Sequence, residues 1–319
     1  MRRFIARVSL FAVILLGLLS YIEYNLSYVV TSYNKQRTYL ERQLDSIEIL
    51  VLGDSHASYG VDPTVFSRKG FNLANVSQDF YYNEQLMNKY IDKIPNLKIV
   101  IIDVSDFSLW YRLNDGPEVF RETAYLLSWD IPPISFRRDW GRYSRILHYS
   151  PRVAMQCVLD GFHVDMAPTM EESGWMPPES EGYWRFVTEQ MGQQRFALRK
   201  TQVHEYNFAP NLQMLTLLVK NLRAQRLQVV LTLLPSHKTY YTQSDKTWHD
   251  KTLLILGDLS SQYDSILLDY FRDNRFVTED FFDSDHLNRH GAQKFSRILD
   301  HDLNTFLLLD RNQSMSGNR

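Results

Sequence analysis

Ile47-Glu48-Ile49-Leu50-Val51-Leu52-Gly53-Asp54-Ser55-His56 is the stretch from which the rest of the chain can be read. Its first six residues are apolar and β-branched-rich except at Glu48, and the run stops at a glycine. That is the pattern of a strand in a parallel sheet, buried on both faces. Runs of the same kind recur at 71–74, 99–104, 229–234 and 266–268, and helical spacing precedes several of them, as at 82–94 and 212–225. Strands alternating with helices predict an α/β fold, a central parallel sheet between helical layers with ligand sites at the carboxyl ends of the strands. Ser55 follows directly on the first strand and so belongs at that edge.

A serine hydroxyl is a poor nucleophile near neutral pH and needs a base, normally a histidine oriented by a carboxylate. Asp283-Ser284-Asp285-His286 offers both, just before a final helix predicted to start near Arg289. With the chain turning there, Asp283 can hold one ring nitrogen of His286 and leave the other for Ser55. The first strand's end and the segment before the last helix meet at one edge of an open α/β sheet. The competing reading of Ser55 is a helix N-cap, a job Asp54 can do equally well. Asp285 reads as a solvated acid capping the final helix. His290 makes an i, i+4 pair with His286, but no His-Glu-x-x-His surrounds it and no third ligand is evident, so neither metal nor cofactor is expected. His237 follows the fourth strand, where a substrate contact and a surface-loop histidine are both open readings.

The segments Ile49-Leu50-Val51-Leu52-Gly53-Asp54-Ser55-His56 and Phe282-Asp283-Ser284-Asp285-His286-Leu287-Asn288-Arg289-His290-Gly291-Ala292 resemble the first and last signature blocks of the SGNH (GDSL-type) hydrolase superfamily. The resemblance covers residues 47–104 and 227–299. It implies a flavodoxin-like three-layer α/β/α fold, with Ser55 as nucleophile, His286 as base and Asp283 as orienting carboxylate. It also implies an oxyanion hole made by the backbone N–H of Ser55, a glycine N–H after the second strand and an asparagine side chain after the third. Ser77 stands where the glycine is expected and keeps a backbone donor, whereas Ser105 stands in the asparagine's place and lacks the amide. Asn75 is a substitute donor from the second block.

Between residues 107 and 210 the strand–helix alternation breaks down. This insertion holds Trp110, Trp129, Trp140, Trp175 and Trp184 and the pairs Pro132-Pro133 and Pro177-Pro178. So long a loop inside a compact domain must carry helices, with its aromatics either on the sheet edge and active-site mouth or in a small core of their own. The scaffold is expected over 47–310, followed by a disordered tail at 311–319.

At the other end Arg2, Arg3 and Arg7 precede an apolar run over 8–19, and bulky Ser20-Tyr21-Ile22-Glu23-Tyr24 replaces the small residues of a cleavage site. Residues 1–25 therefore read as an uncleaved signal-anchor and 26–46 as a helical stalk. The basic flank puts the body on the extracytoplasmic, periplasmic side of the inner membrane. Lys plus Arg total 35 against 37 Asp plus Glu, a balance that disfavours a nucleic-acid partner. A single cysteine, Cys157, excludes an intrachain disulfide. The tether makes the resemblance closest to the envelope branch that includes lipoteichoic-acid D-alanylation and alginate-acetylation proteins. The expected partners are thus a cell-envelope polysaccharide or acyl donor, the membrane and envelope-biosynthesis proteins. The expected activity is that of a serine esterase or O-acyltransferase, and the alternative is a catalytically weak glycan-binding or assembly protein on the same scaffold.

Overall fold

A computed structural model describes residues 1–134, 143–162, 164–178, 187–244 and 246–316. In chain order its strands are β1 (Ile49–Leu52), β2 (Gly70–Asn72), β3 (Ile99–Asp103), β4 (Gln228–Leu233) and β5 (Ile266–Asp269). The helices are α1 (Arg2–Asn25), α2 (Ser32–Glu41), α3 (Ser55–Gly60), α4 (Phe80–Tyr90), α5 (Arg121–Trp129) and α6 (Arg145–His148). They continue with α7 (Pro151–Leu159), α8 (Glu189–Gln202), α9 (Phe208–Ala224), α10 (Lys238–Tyr241), α11 (Lys246–Tyr263) and α12 (Arg289–Ser316). The chain forms two compact units, Met1–Arg37 with Val119–Pro168, and Thr38–Glu118 with Thr169–Arg319.

The larger unit is the expected α/β fold. All five predicted strands are present, paired in parallel in the order β2-β1-β3-β4-β5. Val51 lies opposite both Asn72 and Ile101. Because side chains alternate along a strand, Ile49, Val51, Ile99, Ile101 and Val230 face one layer, where they pack with Ala57 of α3 and Ala292, Phe295 and Leu299 of α12. Leu50, Leu52, Val100, Ile102, Val229 and Leu231 point to the opposite layer of α4, α9 and α11 and are equally buried. The chain moves from β1 to β2 on one side and reaches β3 on the other, so the order reverses at β1. A crevice at the carboxyl ends of β1 and β3 follows.

Small departures from the predicted bounds have local causes. β2 ends at Asn72 rather than 74, because the Asn72 amide donates to the carbonyls of Ala57 and Val61, each at 2.8 Å, and its oxygen accepts the Ala74 N–H at 3.0 Å. α9 starts at Phe208, ahead of the predicted 212, since Pro210 falls in the first turn, where no N–H is needed. α12 runs to Ser316, into the stretch expected as a tail.

In the smaller unit, α1 is long and apolar enough to cross a membrane, with a mean hydropathy of 2.2 in its most apolar window and no buried residue. Its 24 residues span roughly 36 Å at 1.5 Å per residue, against a hydrocarbon layer of about 30 Å. The segment expected as a stalk does not stand free. Leu26 and Val29 are buried with Cys157 and Phe162, Val30 pairs with Asp165, and Tyr33 meets Tyr125 edge to face at 5.0 Å. Arg37 binds Asp130 at 2.9 Å and the Ser128 carbonyl at 2.8 Å. The insertion is therefore divided. Trp129 is buried in this unit, while Trp175 joins the sheet core and Trp110 stacks on Phe208 at 5.2 Å. Trp140 and Trp184 lie outside the described residues.

The end of β1 is tightly packed. Gly53 adopts φ +150°, and a Cβ there would stand 2.7 Å from the Asp103 Cβ and 3.0 Å from that of Ala57. Gly53→Ala is expected to lower stability by roughly 1–3 kcal/mol through overpacking, read as a shift of the denaturant midpoint. An unchanged midpoint would mean that β1 and β3 can separate at no cost.

Candidate active site

Three elements converge at the carboxyl edge of β1. Asp54 caps α3, its carboxylate accepting the His56 N–H at 2.8 Å, which leaves Ser55 as the first helical residue with its side chain uncommitted to capping. The Ser55 Oγ lies 2.9 Å from His286 Nε2. The loop before α12 is wound so that one carboxylate holds it: Asp283 Oδ1 accepts the backbone N–H groups of Asp285 at 3.0 Å and His286 at 2.8 Å. The same carboxylate faces His286 Nδ1, with both oxygens at 3.0 Å. A proton on Nδ1 donates to Asp283, so Nε2 accepts from the serine. The structure thus brings the three residues singled out in the sequence into one hydrogen-bonded line, all of them largely buried.

The surroundings contain groups that the sequence did not point to. Asp285 is not solvated: it is buried, with Arg195 Nε at 2.8 Å and Arg199 at 3.2 Å, and the cap of α12 is Asn288, which accepts the Gly291 N–H at 2.9 Å. Arg195 also reaches Asp283 at 2.6 Å. Both arginines come from α8, inside the insertion, and their approach depends on Gly192, where any side chain would overlap the Thr239 backbone. Arg199 further covers the Phe107 ring at 4.0 Å.

Behind His286, at a ring separation of 4.8 Å, stacks a second buried histidine, His56. Its Nδ1 meets Asp54 at 2.8 Å and its Nε2 faces Asp285 at 3.6 Å. Burial opposes charge on this ring, but Asp54 and then Asp285 outweigh it and raise its pKa to about 10. Burial likewise pushes Asp54 up, and the charge and hydrogen bonds of His56 overcome it, leaving the acid at about 2. Asp285 is also held well below the carboxylate range, burial being outweighed by His286, Arg195, His56 and Arg199. Asp103, beside Asp54, is raised instead by burial and by that neighbour's charge.

The residues expected around an oxyanion fare differently. Ser55, as the first residue of α3, has a backbone N–H with no partner inside the helix. Ser77 adopts φ +61°, the left-handed conformation a glycine would favour, so its N–H is presented at the expense of some backbone strain. Asn75 is buried in the same loop, its N–H bonded to the Gly53 carbonyl at 3.3 Å and its side-chain oxygen accepting the Val76 N–H at 2.9 Å. Ser105 does not replace the missing amide as a donor. Its hydroxyl donates to Asp54 Oδ2 at 2.9 Å and lies 3.0 Å from His56 Nδ1. His237 is not a surface histidine. It is buried, with ring nitrogens 2.9 Å from Thr239 Oγ1 and 3.0 Å from Thr278 Oγ1, and its Nδ1 accepts the Thr239 N–H that starts α10. His290 is exposed, its ring 3.8 Å from Asp280. His56, Asp285 and His286, and likewise Asp54, His56 and Asp103, lie close enough together to hold an ion, but in the first group the two arginines already neutralise Asp285.

No family model and no curated protein matches the chain. Two solved structures are similar to it over most of its length. One, from Streptococcus pneumonia, bears the provisional name platelet activating factor; it is 12% identical, with a TM-score of 0.42 over 92% of this chain and 99% of its own. The other, from Bacteroides fragilis, is provisionally named an acylhydrolase; it is 9% identical, with a TM-score of 0.39 over 85% of this chain and 96% of its own.

The charged His56 links folding to pH. Its folded pKa lies above the ordinary 6.5, so its contribution is complete below about 6.5 and vanishes as pH rises through about 10. Asp54, depressed from 3.8 to about 2, contributes above about 4 and loses its effect as pH falls through about 2. His56→Gln is expected to cost about 3 kcal/mol at pH 6, as for a broken buried ion pair, with the deficit closing toward pH 10 in denaturant unfolding. A deficit independent of pH over that window would show that His56 folds uncharged.

Proposed function

We propose that this protein is a membrane-tethered serine esterase or O-acyltransferase of SGNH type, working on ester bonds of a cell-envelope glycan or acyl carrier. The observation that carries the reading is the line from Ser55 Oγ through His286 to Asp283, at 2.9 and 3.0 Å, placed where the strand order reverses. In this reading Ser55 attacks an ester carbonyl and its proton passes to His286 Nε2. The C–O bond of the leaving alcohol then breaks as that alcohol takes the proton from His286, and the acyl group remains on Ser55. Water or an acceptor hydroxyl, deprotonated by the same nitrogen, releases it; which of the two reaches the acyl-serine decides between hydrolysis and transfer. Asp283 fixes the tautomer of His286 and Arg195 steadies Asp283. The backbone N–H groups of Ser55 and Ser77 are the proposed donors to the oxyanion.

The apolar α1, with Arg2, Arg3 and Arg7 ahead of it, supports anchoring in the inner membrane with the body on the periplasmic side. A tether of this kind holds an enzyme close to a polymer being modified at the same surface. The commitment of Ser105 to Asp54 favours a second reading, in which turnover is low and the scaffold serves glycan binding or assembly with envelope-biosynthesis proteins.

A fluorophosphonate probe is expected to label the purified full-length chain on Ser55, and Ser55→Ala to abolish labelling with an unchanged melting temperature. Ester turnover should fall roughly a thousandfold or more in Ser55→Ala and in His286→Ala. A folded wild-type chain that the probe never modifies would sink the serine-enzyme reading. Unchanged envelope acylation in cells carrying Ser55→Ala would favour the binding or assembly role.

A further inference from the structure

The helix α7 belongs to the unit that contains α1, and its outward face is the reverse of what water favours. Val153 and Cys157 turn inward to Leu26, Val29 and Phe162. On a helical wheel Met155, Val158 and Leu159 fall on the side away from that core, and they are 60%, 38% and 77% exposed. Leu147 on α6 adds a fourth exposed apolar side chain. A solvated surface helix carries polar residues there; here Arg152, Gln156 and Asp160 are displaced to one flank.

The start of α6 and the inward side of α7 are fastened to the last turns of α1. Glu23 accepts from the Ser144 hydroxyl at 2.8 Å and from the N–H groups of Arg145 and Ile146 at 2.6 and 3.1 Å, so the start of α6 is clamped to it. The Tyr21 ring meets Phe162 edge-on at 6.1 Å, and Ile22 packs against the cluster that contains Cys157. Gly161 and Phe162, both at positive φ, turn the chain back from α7 into that contact. The attachment thus lies where the apolar run of α1 gives way to Tyr21, Tyr24 and Tyr28, all exposed, as aromatic residues are at the head-group level of a membrane.

We propose that the outward face of α7, with Leu147 of α6, rests in the head-group region of the bilayer that α1 crosses, giving the tether a second, shallow membrane contact. The occupant follows from continuity: α6 and the inward side of α7 are held to the end of a segment already suited to lipid, and no described residue covers the outward face. Arg152, exposed beside it, suits anionic head groups. The inference rests on the reading of α1 as a membrane span.

Its test uses the full chain in phosphatidylglycerol-containing vesicles, with an environment-sensitive fluorophore on Met155→Cys, Leu159→Cys or Gln156→Cys in a Cys157→Ala background. Retention after alkaline carbonate extraction checks the span separately. Labels at 155 and 159 are expected to lose roughly twofold or more emission to a shallow lipid-borne quencher and little to aqueous iodide, as for an interfacial apolar face, with the reverse at 156. A retained chain whose three labels are all quenched by iodide overturns the contact and leaves the span standing. Labels at 155 and 159 shielded from both quenchers mean a protein covers the face and also overturn it. Extraction by carbonate removes the span and the inference together. If the Cys157→Ala chain does not fold, a lipid-borne diazirine on the unmodified chain reads the same face: Met155 and Leu159 should be modified in preference to Gln156, and equal or absent modification rejects the contact.

Discussion

Burying a charge costs several kcal/mol unless another charge and good hydrogen bonds compensate it, and the carboxyl edge of β1 buries several. Asp54, Asp283 and Asp285 are set against His56, Arg195 and Arg199. Neither set is tolerable alone. Two of the three cations arrive on α8, so the loop carrying His286 and the turn carrying Ser55 acquire compatible electrostatics only when that helix is seated. Placement of the Ser55 turn and seating of α8 are therefore coupled.

The seat of α8 can be followed one step further. Gly192 lets the helix press on Thr239 of α10, and α10 is started by the side chain of His237. His237, for which a substrate contact and a surface loop were both open readings, starts a series of three contacts that ends at Asp283 and Asp285. It sets α10, α10 receives α8, and α8 delivers the arginines to Asp283 and Asp285. The first two of these contacts are a hydrogen bond and packing between neutral groups, which is why the chain of dependence carries no signature in the distribution of charge until it reaches the arginines.

How much of this was legible in the sequence follows from the range of each interaction. The five strands were, because a parallel strand advertises itself in three to six consecutive residues. Asp283 and His286 were, because they are three residues apart and share one turn, and Ser55 followed from its strand. Arg195 and Arg199 were not: they lie 88 and 86 residues from their partners, in a region without periodic pattern. Asp285 was misread because an acidic residue before a helix looks the same whether water or a guanidinium faces it. Ser105 was correctly placed at the end of β3, but the direction of a hydroxyl is decided by Asp54 and His56, which arrive from another strand. The packing of the segment expected as a stalk was hidden for a related reason, since the residues around Leu26 and Val29 come mostly from between Ile146 and Val164.

Each unit is assembled from two separated stretches of chain, the first from Met1–Arg37 and Val119–Pro168, the second from Thr38–Glu118 and Thr169–Arg319. During synthesis the first can close once residue 168 has emerged, while β1, β2 and β3 still lack the neighbour on which β3 pairs. The arginines of α8 follow next, then β4 and β5, and His286 comes after all of them. Ser55 is thus made early and stays without its hydrogen-bond partner His286 until almost the whole scaffold is present. The order of the chain acts as a timer, bringing His286 to the Ser55 hydroxyl only after all five strands have been made.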